Sequence, residues 1–128
     1  MYTKLINQGF DVVEGLTYGA ERKKVMGYMY SGNAVLQKGN VKVFLSLWWH
    51  GPEEVTYQEI EENLGLRAVE IAGKYYDLYW YARWVENTLW IHPEGWFKNN
   101  ELREKVDGYK NFTEEELKNL GFFPVLSI

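Results

Sequence analysis

The chain contains no cysteine. That excludes a disulfide framework, a thiolate nucleophile and a cysteine-based zinc site. No stretch is long and apolar enough to cross a bilayer as a helix, so no membrane partner is expected. The start, Met1 to Gly9, lacks the basic-then-apolar pattern of a secretory signal. A cytoplasmic, intracellular protein is the expectation. Histidine and serine are scarce: His50, His92, Ser31, Ser46 and Ser127 are all there are. Nothing like Gly-x-Ser-x-Gly occurs, and paired His/Cys spacing for a metal is missing. A Walker-type loop and a dinucleotide fingerprint are absent too. Acidic pairs exist at Glu53-Glu54 and Glu61-Glu62, but neighbours on a helix point in different directions. No catalytic residue, metal ligand or cofactor is therefore assigned, and an enzyme is the weakest reading.

Aromatic residues are abundant, with 10 Tyr, 6 Trp and 6 Phe in 128 residues. More aromatics than a small core hides would leave some at the surface, where they favour protein contact or base stacking. The formal charge is -4, and it is unevenly spread. Residues 1 to 50 hold six basic against three acidic side chains, whereas residues 53 to 86 hold three against eight. The length suits one domain with a real core.

Phe10 to Tyr18 reads as a strand broken at Gly15. Gly19 to Tyr30 reads as a helix, with Arg22, Lys23 and Lys24 as a compact basic cluster on its exposed side. Lys38-Gly39-Asn40 is a turn. Val41, Phe44, Leu45 and Trp48 then recur at helical spacing, although Val41 to Leu45 also shows strand-type residues. Gly51-Pro52 ends that segment.

The most readable stretch is Glu53 to Leu66. Thr56 and Glu59 have capping-box spacing, Val55 and Ile60 can staple the helix start, and Ile60 and Leu64 share a face. Gly65 suits a left-handed helix end. Residues 67 to 84 read as a long helix, apolar nearly all round, carrying Tyr75, Tyr76, Tyr79 and Trp80. His92-Pro93-Glu94-Gly95 suits a type I turn between β-prone Leu89-Trp90-Ile91 and Trp96-Phe97-Lys98. Glu101 to Val106 reads as a short helix. Thr113 to Glu116 is a second capping box, stapled by Phe112 and Leu117, with its helix ending at Gly121. The apolar tail Phe122 to Ile128 should pack on the body or on a partner.

The series Val55-Thr56-x-x-Glu59-Ile60-x-x-x-Leu64-Gly65-Leu66 resembles the helix-turn-helix of the winged-helix superfamily. The helix at Val41 to Trp49 would precede it, and Trp84 to Lys98 would be the wing. The fold implied is mainly α with a small β-hairpin, as a single domain 1–128. It comprises an N-terminal extension 1–33, a winged-helix-like core 40–100, and C-terminal helices and tail 101–128. The resemblance makes 67–84 the recognition helix, with Arg67, Glu70 and Lys74 nearest the bases and His92 and Lys98 on the wing.

Two functions compete. The first is a small DNA-binding transcriptional regulator, dimeric, meeting double-stranded DNA through Arg67, Lys74, His92 and Lys98, with Arg22, Lys23 and Lys24 auxiliary. The second is a non-enzymatic protein-binding module or inhibitor of the viral or mobile-element type. It would use an acidic, aromatic-rich surface with Tyr75, Tyr76, Tyr79 and Trp80 as interface. The order of local signals favours the first. The acidic balance of residues 53 to 86 opposes it, because duplex binding gains affinity by neutralising phosphates.

Overall fold

The computed structural model describes residues 1–23, 27–51, 53–96, 102, 104 and 111–128, with 16–23, 27–29, 50 and 51 described through their backbone alone. The chain forms two compact units, Met1–Tyr75 and Tyr76–Ile128.

The first unit begins with a one-turn-and-a-half helix, α1 (Tyr2–Asn7). Three long strands follow: β1 (Asp11–Lys23), β2 (Gly27–Lys38) and β3 (Val41–Gly51). Helix α2 (Tyr57–Asn63) then leads into β4 (Gly65–Ile71) and β5 (Lys74–Asp77), within which the division between units falls. The sheet runs in sequence order, β1-β2-β3-β4-β5. Short turns impose that order. Gly39-Asn40 reverses the chain between the paired Lys38 and Val41, and Gly39 has φ +61°. Ala72 and Gly73 both take positive φ, as a two-residue hairpin loop matched to strand twist requires.

One face of this sheet is buried. Cross-strand partners Leu36, Val43 and Val69 lie in one row, with Ala34 and Leu45 in the next. Leu5, Ile60 and Leu64, from α1, α2 and the residue after α2, are buried with them. Thr56 caps α2 by accepting the Glu59 N–H at 3.1 Å.

The second unit carries α3 (Leu78–Tyr81), β6 (Ala82–Val85), β7 (Thr88–Ile91), α4 (Glu114–Asn119) and β8 (Phe123–Ser127). Its antiparallel sheet has the order β6-β7-β8. Trp90, Trp96, Leu102, Leu117 and Phe122 form the core. Thr113 and Glu116 make a reciprocal capping box at the start of α4. Gly121, at φ +93°, follows its end.

These antiparallel sheets overturn the mainly α fold and the winged-helix resemblance. The helix expected at 19–30 is the second half of β1 and the first of β2, apart from residues outside the description. The helix expected at 41–49 is β3, because Val43 and Leu45 alternate inward at a period of two. Gly65 does not take a left-handed turn between helices. Leu64, at φ -58° and ψ 127°, sends the chain into strand, and Gly65 pairs with Ser46. The long helix 67–84 is two strands, a short helix and a third strand. It looked apolar all round because alternate strand residues supply both faces. Of the expected wing, Leu89-Trp90-Ile91 belongs to strand β7, and the second arm beyond Trp96 lies outside the described residues. The hairpin closes earlier, at Glu86-Asn87 between paired Val85 and Thr88. The turn at His92 to Gly95 does form, with the Gly95 N–H donating to His92 O at 3.2 Å, but it leads Trp96 into the core. The helix expected at 101–106 lies largely outside the described residues. The capped helix at Thr113 and the packed apolar tail are as expected, the tail serving as β8.

Candidate functional site

An antiparallel sheet buried on one side ordinarily shows polar residues on the other. The second face of the five-stranded sheet departs from that rule. Register fixes its rows. Glu14, Val35, Phe44 and Ala68 are successive cross-strand partners. The adjoining row holds Asn33 and Ser46, and Trp48 stands opposite Ser31 beyond it. A register shift between Phe44 and Leu45 lets β4 place two residues, Arg67 and Ala68, beside this region. The ring of Tyr75 on β5 meets Phe44 edge-on, with centroids 5.5 Å apart and planes at 67°.

The result is a shallow groove of about 250 Å³ that takes a residue from every strand: Glu14, Val35, Phe44, Arg67 and Tyr75, with Asn33 alongside. Val35 is buried in its floor, whereas Tyr75 is 50 % and Trp48 69 % exposed. Glu14 and Arg67 are exposed at its two sides. Among the described residues neither has an ion-pair partner. A floor of aliphatic and aromatic surface between opposite charges can seat one large apolar side chain and meet charges on either side of it.

The residues singled out by sequence are dispersed. Arg67 lies on β4 at this groove, not at the start of a recognition helix. Lys74 and Tyr75 are on β5, and only Tyr75 lines the groove. Arg22 and Lys23 are at the end of β1. Lys24 and Lys98 fall outside the described residues. Tyr76 opens the second unit and is buried, its ring edge-on to Tyr81 at 5.4 Å. Tyr79 and Trp80 sit on α3, exposed, with centroids 4.5 Å apart. In the same unit the Arg83 guanidinium lies 4.8 Å from the Trp96 ring centroid.

His92 follows β7. Its Nδ1 accepts the Glu94 N–H at 3.3 Å, and its ring meets Phe122 edge-on at 5.2 Å. Burial lowers its pKa below the usual histidine value, against smaller upward contributions from Glu94 and from its hydrogen bond to the Leu120 backbone. These contacts make it a fastener between β7 and the end of α4.

Glu14, Val35, Phe44 and Trp48 escaped the sequence reading. The missed signal was a second alternating set within 41–49, with Phe44, Ser46 and Trp48 facing away from Val43 and Leu45. Among the described residues no helix is long and apolar enough to cross a membrane. No protein-family model, curated protein or solved structure matches this chain.

Proposed function

We propose that this protein is a non-enzymatic protein-binding module whose site is the groove on the second face of the five-stranded sheet. One observation carries the reading: Val35, Phe44, Trp48 and Tyr75 occupy the side of the sheet where alternation calls for polar residues. Apolar surface of that kind marks interaction sites. The groove, at about 250 Å³ and open, is small beside the roughly 300–1,000 Å³ that enclose a free small ligand. It suits a side chain delivered by a larger molecule. A nucleic-acid partner is disfavoured by charge. On this face Asp11, Glu14 and Glu70 offset Lys42 and Arg67, and the whole chain carries -4, where a backbone-tracking groove needs a basic lining.

The test is selection of random displayed peptides on the full chain, repeated with a Phe44→Ser/Tyr75→Ser variant shown to be folded by circular dichroism. Peptides selected by the native chain should bind the variant at least about tenfold more weakly, a loss of about 1.4 kcal/mol. Equal binding to both would refute the site. Duplex DNA over a salt series is the companion measurement. Duplex binding that falls steeply with salt and is weakened by the same variant would replace the module with a nucleic-acid-binding protein.

A further inference from the structure

We infer that the groove selects an extended segment of a partner protein in which a basic, a large apolar and an acidic residue occupy alternate positions. This inference rests on the protein-binding reading above and adds the chemistry of the partner.

The geometry supplies the spacing. Glu14 is on β1 and Arg67 on β4, three strand intervals apart in the sheet. At about 4.8 Å per interval their backbones are roughly 14 Å apart across the face. Val35 and Phe44 lie between them, with Tyr75 beside Phe44. An extended peptide rises about 3.3 Å per residue, so residues i and i+4 stand roughly 13 Å apart. Residues i, i+2 and i+4 also share one face. A peptide lying across the strands therefore sets its first residue over one charge, its third into the apolar floor and its fifth over the other charge. A helical segment would set residues i, i+4 and i+8 on one face at roughly 12 Å, so seven-residue peptides, too short to hold a helix, test the extended form by itself.

Charge complementarity fixes the identities. The exposed Glu14 takes a lysine or arginine of the partner, and the exposed Arg67 takes an aspartate or glutamate, bidentately. Reversing the peptide direction exchanges the order of the two charges and leaves the pattern intact. Phe44 and Tyr75 meet edge-on, which leaves ring faces to pack against an aromatic or long aliphatic side chain.

The experiment measures three synthetic seven-residue peptides against the full chain by fluorescence anisotropy. Each has a central phenylalanine, and the residues two positions to either side are lysine and aspartate, two lysines, or two aspartates. The mixed peptide should bind best, by roughly tenfold over each like-charged one, the scale of one complementary charge pair. Glu14→Lys should then shift the preference to the two-aspartate peptide, and Arg67→Glu to the two-lysine peptide. Both positions are exposed, so both variants should keep the native circular dichroism spectrum. An unchanged ranking of the three peptides in both variants overturns the inference. If displayed peptides that depend on Phe44 and Tyr75 emerge without the charge pattern, the module reading stands and this inference falls. If no peptide depends on those residues, both fall.

Discussion

The two units differ most clearly in their central strands. On β3, buried Val43 and Leu45 alternate with half-buried Phe44 and Ser46, and Trp48 further on is well exposed. On β7, three consecutive residues, Leu89, Trp90 and Ile91, are all buried. One strand keeps a face free, and the other is enclosed on both. Tryptophan therefore has opposite meanings in the two units. Trp90 is core, whereas Trp48 is exposed at the surface. The comparison teaches that apolar content alone does not locate a site. What locates it is apolar content on the side of a strand that folding leaves uncovered.

Replacing the same residue type in each unit breaks the comparison most severely. Trp90→Ala should cost about 3–5 kcal/mol, as loss of a large buried side chain does. Trp48→Ala should stay within about 0.5 kcal/mol, because the side chain is largely in water. Urea unfolding followed by circular dichroism measures both, and comparable losses would erase the distinction between the strands. A smaller effect is expected from the caps. Thr113→Ala removes the acceptor for the Glu116 N–H, leaving only the backbone half of the capping box, and should cost about 1 kcal/mol. Thr56→Ala removes one acceptor from α2 and should cost no more. Hydrogen exchange should show the first loss in 111–128 and the second in 57–64. Smaller still is the hairpin. Glu86 holds φ +53°, so Glu86→Gly should raise stability by about 0.5 kcal/mol after glycine's own entropic cost. A lower midpoint on urea unfolding would show that the conformation is not strained.

Acid sharpens the same contrast by direction alone. His92 is held neutral by burial, with its folded pKa below the usual value near 6.5. Below about pH 6.5 the unfolded chain binds the proton more readily than the folded one, so stability falls as pH drops toward the folded value. Protonation also removes the Nδ1 acceptor used by the Glu94 N–H. Exchange protection at 88–92 and 120–127 should therefore decline as pH falls below about 6.5, and His92→Gln should flatten that decline. An identical decline in the variant would assign the acid sensitivity elsewhere.

Sequence alone determined the features whose energy is settled within a few residues. Thr56 and Thr113 cap helices because their side chains accept from N–H groups three positions on. Gly39-Asn40 turns, and Gly121 follows a helix end, because glycine takes positive φ without penalty. Arg67 and Tyr75 were named from sequence, although for a helix face rather than a sheet. Tertiary structure alone decided the period at which the chain between the caps was to be read. Val41, Phe44, Leu45 and Trp48 satisfy a helical stripe and a two-sided strand equally well, and 67–84 carried the same ambiguity. Pairing of Phe44 with Val35 and Ala68 resolved it. Strand formation draws its free energy from partners distant in sequence, and no window along the chain contains them. The groove follows from that pairing, since its residues come from five strands and meet only once the sheet is assembled.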